Sequence, residues 1–305
     1  MKQKQASNWR FIIKTIVILF VLSWLLSAVF PAFFNTSLSI GNVALIPIKG
    51  TIVSEQTGSL IGQKETIASE TIEAIKKANE NPKIKAILFE INSPGGSAIA
   101  SSSIASAIKE LNKTSISLIT EIGTSGAYWI ASATNKIFAN KMSITGSIGV
   151  IGSYLEFAKL LERYNITYQR LVSGRYKDIG SPFKEMDFDE RIIMQSALQK
   201  IHTYFVEEVA SNRNLSIEFV NNISNGLFYL GEESKEFGLI DIIGDKEDAI
   251  EYLEKELNIT VKLAKYEKKK TLTDILSQTI SEKFFYVGKG IASSILTKEK
   301  FSITT

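Results

Sequence analysis

The sequence predicts an α/β protein built on a parallel sheet, and three observations predict it. Apolar runs that read as buried strands alternate with amphipathic helical patterns, one such unit over 85–112 and the next over 116–134. Each run stops at a turn rich in small residues: Ala86–Ile91 runs into Asn92-Ser93-Pro94-Gly95-Gly96, and Ile116–Ile122 runs into Gly123-Thr124-Ser125-Gly126. Both turns therefore fall at carboxyl ends of strands, on one edge of the sheet, where open α/β folds carry their sites. An apolar content of 45% against 22% charged residues suits a chain of 305 residues that buries a substantial core.

The elements follow in order. Thr15 to Phe34 is twenty residues without a charge, enough for a helix to cross a bilayer core of about 30 Å. Trp9 and the Phe33-Phe34 pair suit the two interfaces, and Lys14 can snorkel to the headgroups. Lys2, Lys4, Arg10 and Lys14 precede the span with no acid among them, which predicts a cytoplasmic amino terminus and an extracytoplasmic chain beyond about residue 35. A cleaved secretory signal is the alternative, but the run exceeds a typical signal core and lacks a small-x-small site.

Val43 to Ile48 reads as a strand, which Gly50 to Val53 prolongs or reverses, and 54–64 as an exposed loop. Ile67, Ile72 and Ile75 predict an amphipathic helix from Thr66 to about Asn81-Pro82. After the two strand–turn–helix units come a short strand, Lys136–Ala139, a helix over Tyr154–Tyr164 and a strand over Thr167–Val172. Asp187-Phe188-Asp189-Glu190 has the form of a capping box before a long helix with Ile193, Ala197, Ile201 and Phe205 on one face. Two short helices between Leu215 and Ile243, a helix over Asp245–Leu257 and a strand over Val261–Ala264 complete the pattern. In the tail, Leu276, Ile280, Phe284, Val287, Ile291 and Ile295 form an apolar stripe behind Lys268-Lys269-Lys270, fit for a membrane, a neighbouring subunit or its own domain.

Composition excludes several chemistries. There is no cysteine, hence no disulfide, thiol nucleophile or cysteine metal site. One histidine and no carboxylates at ligand spacing argue against a metal, and no phosphate loop is present, so no cofactor is expected. Without its first four bases the chain carries 31 basic against 32 acidic residues, which leaves no footprint for nucleic acid.

What remains is hydroxyl chemistry. A buried strand that ends at Gly123 and delivers Ser125 to the start of a helix presents a nucleophile beside backbone amides; the same residues also make an ordinary turn with a serine cap. The paired glycines Gly95 and Gly96 let bare amides face a ligand, and Gly126 adds another, as an oxyanion hole requires. A serine needs a base within about 3 Å. Lys177, in the turn-rich Ser173-Gly174-Arg175-Tyr176-Lys177-Asp178, serves if a dry setting keeps its amine neutral, with Lys184 the next candidate. Ser125, Asp178 or Asp189 and His202 even follow the order of a hydrolase triad, but His202 lies inside a helical run.

Asn92-Ser93-Pro94-Gly95-Gly96, the Ser125-Gly126 turn with Tyr128-Trp129, Thr145-Gly146-Ser147-Ile148-Gly149-Val150 and Ser173-Gly174-x-x-Lys177-Asp178-x-x-Ser181-Pro182 stand in the order of the signal peptide peptidase A family, which the chain resembles over about residues 42 to 255. The family usually reads Ser-Gly-Gly-Tyr where this chain has Ala127. The resemblance implies a Clp protease/crotonase-like fold of repeated β-β-α units and a Ser125–Lys177 dyad, with Ser147 orienting the lysine. It further implies a membrane-anchored serine endopeptidase, hydrophobic peptides such as cleaved signal peptides as substrates, and a homo-oligomeric ring or dome, octameric in half-length relatives, that completes the dyad across a subunit boundary. The domains expected are an anchor over 1–35, a catalytic domain over 42–265 and a basic amphipathic tail over 266–305. Rival readings are a related protease with one specific membrane-protein substrate, a crotonase-fold acyl-CoA enzyme and a non-catalytic scaffold. Tyr128-Trp129 suggests an apolar substrate channel, although such residues also serve as core.

Overall fold

The computed structural model describes residues 9, 11–24, 41–55 and 65–267. The chain divides into two units, Met1–Ile40 and Gly41–Thr305. In the first, residues 11–24 form a helix, α1, with Trp9, Phe11 and Phe20 exposed. Among the described residues no helix is long and apolar enough to cross a membrane. The second half of the expected span, 25–34, lies outside the described residues, as do loop residues 56–64 and the expected apolar tail from 268 onward.

The second unit opens with β1 (Val43–Lys49), β2 (Thr51–Val53), β3 (Glu65–Ile67) and α2 (Ala68–Glu80). Thr66 and Ile67, expected in the helix, instead pair with β2, and the Thr66 hydroxyl donates to the Lys49 carbonyl. Then come β4 (Ala86–Ser93), α3 (Ala98–Lys109), β5 (Thr114–Thr124), α4 (Gly126–Ser132), β6 (Lys136–Ala139) and β7 (Ile144–Gly146). The carboxyl half adds α5 (Ala158–Arg163), α6 (Phe188–Arg213), α7 (Ile217–Ile223), β8 (Phe228–Leu230), α8 (Gly231–Glu236), β9 (Ile242–Ile243), α9 (Lys246–Leu257) and β10 (Leu263–Lys265).

The main sheet runs β10-β1-β4-β5-β6-β9, parallel throughout, and β7 joins it through β5. Among the described strands only β8, paired to β7, is antiparallel. The apolar runs of β4 and β5 are strands because both of their faces are covered. Ile87, Phe89 and Ile91 pack in the cluster that holds Ile104 of α3 and Ile130 of α4, whereas Leu88 and Ile116 pack with Ala249 and Leu253 of α9. Each such side chain contributes about 1.5–3 kcal/mol by leaving water.

The one acid of β4, Glu90, is held by Lys49 at 2.6 Å and Lys246 at 2.9 Å. Burial pushes its carboxyl up, but the two ammonium groups pull it further down, to a net position below the ordinary carboxylate range. Its stabilising contribution is therefore present above that range and fades as the pH falls through the lowered value. Glu90→Gln is expected to cost about 1 kcal/mol in denaturant melts at neutral pH, the ion pairs being partly exposed, and close to nothing in acid.

Strand β5 forks. Ile116–Ile119 pair with β6, and Ile122–Thr124 pair with β7. The bend between them comes where residues 120–122 of β5 face Asn92 alone, an irregularity that re-aims the strand end. The Thr120 hydroxyl donates to the Ile91 carbonyl there, and the Ser143 hydroxyl lies 3.2 Å and 3.0 Å from the Ile119 and Thr120 carbonyls.

Between β7 and β8 the chain makes a long excursion that leaves and returns at one neck. The Ser147 N–H donates to the Leu227 carbonyl at 2.9 Å and the Gly226 N–H to the Ile148 carbonyl at 3.1 Å. Three expectations change here. The helix over Tyr154–Tyr164 is reduced to α5, and the strand over Thr167–Val172 does not form. No described strand lies beside it, Leu171 is 96% exposed, and Arg170 and Tyr168 fold back onto Asp178 and Phe183. The capping box at Asp187 and Glu190 does form, but the apolar face of α6 is buried only near its carboxyl end, at Phe205, Val206, Val209 and Ala210. Ile193 remains exposed, like Ile151, Leu155, Leu160 and Phe188.

Candidate active site

Ser125 stands at the junction of β5 and α4 with φ 53° and ψ −125°, a conformation that costs a non-glycine residue about 1–3 kcal/mol. Two backbone bonds hold it: its N–H donates to the Gly146 carbonyl at 2.8 Å, and its own carbonyl accepts from the Trp129 N–H at 3.0 Å. The fork of β5 makes the first bond, because it brings Gly146 of β7 beside Thr124. A serine on such a strained strand-to-helix turn has its hydroxyl turned out of the fold, and Ser125 is partly exposed among buried neighbours.

The glycine turn after β4 lies against it. Gly95 has φ +95°, and a Cβ there would come within 2.7 Å of the Gly126 nitrogen and 2.9 Å of the Ser125 Cβ. Gly96 packs on β2, with the Ile52 N–H donating to the Gly95 carbonyl and the Ser97 N–H to the Ile52 carbonyl. The Ser93 hydroxyl donates to the Gly50 carbonyl at 2.6 Å and accepts the Gly95 N–H at 3.1 Å. Thus the Gly95 amide is engaged by Ser93, whereas the amides of Gly96 and Gly126 have no acceptor among the described residues. They are close, since a Cβ on Gly126 would lie 3.4 Å from the Gly96 nitrogen. Two unspent N–H groups beside a turned-out hydroxyl are what an oxyanion needs.

Ser147 also reaches this corner. It follows Gly146, has φ 48°, and its hydroxyl donates to the Gly226 carbonyl at 3.1 Å. Ser125, Ser147, Gly95, Gly96 and Gly126 are thereby brought together. Lys177 is not joined to them: it sits on an exposed turn, and among the described residues its side chain makes no ion pair or hydrogen bond. The other candidate bases are occupied. Lys184 lies 2.5 Å from Glu190, and the His202 Nε2 lies 2.8 Å from the Ser224 carbonyl, joining α6 to α7. Tyr128 and Trp129 are core rather than channel: the Tyr128 hydroxyl donates to the Leu239 carbonyl, and Trp129 stacks on Phe205 at 4.5 Å. Ala127 is fully buried in the cluster with Ile130 and Ala131, so its methyl is absorbed by the core. Among the described residues no cluster of metal-ligating side chains occurs.

Residues 107–260 match the model of peptidase family S49. A Methanocaldococcus jannaschii protein provisionally named as a protease is 34% identical over 207 residues, 67% of each chain. The chain belongs to peptidase family S49. An Enterococcus faecium protein provisionally named as signal peptide peptidase SppA is 33% identical over 221 residues, covering 72% of this chain and 64% of that one. Protease 4 of Salmonella typhi is 31% identical over 214 residues, 69% of this chain but 34% of that protein. The chain is a serine peptidase, and its mixed α/β build on a parallel sheet fits the Clp-protease-like fold of the family.

Sequence reasoning passed over Ser93 and the partners of Asp178. Ser93 had a signal, a hydroxyl inside the glycine motif. The Asp178 contacts had none, because they join residues that share no periodicity.

Proposed function

We propose that the chain is a membrane-anchored endopeptidase of hydrophobic peptides, cleaved signal peptides among them, in which Ser125 attacks and Lys177 of a neighbouring copy is the base. The observation that carries this is the half-site: a poised hydroxyl and two free amides to which no described base is bonded, while Lys177 stands on an exposed turn of the excursion. Exposed Ile151, Leu155, Leu160, Phe188 and Ile193 give the excursion an apolar surface suited to a second copy. The apolar run over 15–34 and the bases before it support a lipid anchor with the catalytic unit on the extracytoplasmic side.

In the reaction the neutral amine of Lys177 takes the Ser125 proton as Oγ bonds to the scissile carbonyl carbon. The amides of Gly96 and Gly126 hold the oxyanion, with Gly95 and Ser93 shaping the turn, and Ser147 orients the amine. The lysine then gives its proton to the leaving nitrogen, and water, deprotonated in turn, releases the acyl group and restores the hydroxyl.

Mixing tests it. Ser125→Ala and Lys177→Ala proteins, each inactive on an internally quenched hydrophobic peptide, are expected to recover up to about a quarter of wild-type activity after subunit exchange, because random neighbours rebuild intact sites. Full activity of Lys177→Ala alone would remove the lysine from the mechanism, and no recovery on mixing would place the base within one chain.

A further inference from the structure

Lys177 is followed by acids that could hold an ammonium protonated, yet each is engaged elsewhere, by another cation or by a helix cap. Asp178, the next residue, accepts from Arg170 at two points, Nε at 2.6 Å and Nη2 at 2.8 Å. The same guanidinium donates to the Arg175 carbonyl at 2.9 Å, so it grips the turn on both sides of Tyr176-Lys177. From α6, Asp189 pairs with Arg175 at 2.6 Å, and Glu190, 2% exposed, pairs with Lys184 at 2.5 Å. Asp187 caps α6, and Glu185 pairs with Lys159 of α5. Lys184 stands 3.8 Å from Asp178 as a second, weaker neighbour. Between residues 170 and 190, Lys177 is the one cation without an acidic partner among the described residues.

We propose that Arg170 is a positioning residue for the base: by occupying the Asp178 carboxylate it leaves the adjacent Lys177 amine without an anionic partner, free to accept a proton. This rests on the reading of Lys177 as base. The chemistry favours arginine, whose planar fork matches a carboxylate at two points and stays charged throughout the working range. The bidentate contact with Arg170 also holds the Asp178 carboxyl below the ordinary carboxylate range, so the acid is ionised and in need of a cation at every pH where the enzyme works. Without Arg170, Lys184 is already committed to the buried Glu190, and Lys177 is the nearest cation left in sequence.

The test is the pH dependence of kcat/KM for the full chain on an internally quenched hydrophobic peptide, from about pH 5 to pH 10. Arg170→Met is expected to move the acid limb about one unit to higher pH, a roughly tenfold loss near neutrality. Adding Asp178→Asn should bring the limb back, and Arg170→Lys should leave it close to wild type. A merely structural Arg170 gives another pattern, activity lost evenly at all pH values and not restored by Asp178→Asn, and that pattern, like an unmoved limb in Arg170→Met, overturns the proposal. Should Arg170→Met not melt cooperatively, Asp178→Asn alone decides: its acid limb is expected to stay or move to lower pH, and a shift to higher pH overturns the proposal. Failure here with Lys177→Ala still inactive leaves the base assignment standing; an active Lys177→Ala protein removes both.

Discussion

Ser125→Ala is expected to abolish peptide hydrolysis, lowering kcat by about 10⁴-fold or more, because Ser125 is the partly exposed hydroxyl on the turn that carries the free amides. The Ser147 hydroxyl is held by the Gly226 carbonyl, and that of Ser101, which lies against Gly126, is fully buried. The fold should not suffer, since the bonds that fix the turn, Ser125 N–H to Gly146 and Trp129 N–H to Ser125, are backbone bonds that alanine keeps. Ser125→Gly sharpens the point. With φ 53° the position strains any side chain, so glycine is expected to raise stability by about 1 kcal/mol while activity disappears. A fluorophosphonate probe should label the wild type and neither variant. Labelling of Ser125→Ala at the wild-type rate would assign the nucleophile elsewhere.

Gly96→Ala should also be damaging, by another route. A methyl there would lie 2.1 Å from the Ile52 carbonyl oxygen and 2.6 Å from its nitrogen, and both are backbone atoms that cannot swing aside. Either β2 or the glycine turn must shift, at a cost of about 1–3 kcal/mol or more, and the Gly96 amide moves with the turn. Displacing one oxyanion donor costs about 10²–10³ in kcat, with little change in KM if the peptide is held elsewhere. Thermal melts and steady-state kinetics on one preparation check both halves. Wild-type kcat in a destabilised Gly96→Ala protein would show that this amide does not touch the reacting oxygen.

Much of this was legible in the chain. The runs of β4 and β5 could be read because a strand buried on both faces needs continuous apolar residues, and their turns because glycine alone tolerates such close backbone approach. The cap at Asp187 was legible because capping is local. What escaped depends on distant partners. Thr167–Val172 has the composition of a strand, but a strand needs a neighbour, and Arg170 was instead used by Asp178. The stripe of α6 has helical spacing along its length, yet only the turns near Phe205 have a core to meet. The fork of β5 was invisible for the same reason, being set by which strand lies beside each half.

The neck at Ser147–Ile148 and Gly226–Leu227 gives the excursion an unusual independence. Because departure and return are buttoned together by two backbone bonds, the outer part of the excursion, before α6 meets the core at Phe205, could be lengthened or trimmed without moving Ser125, whereas the stretch from Phe205 to Ile223 packs on Tyr128 and Trp129 and could not. The buttons sit one residue from Gly146, whose carbonyl anchors the Ser125 amide. A partner that leans on the far end of the excursion thus has its lever's fulcrum beside Ser125, and this architecture lets assembly be felt there without any dedicated messenger.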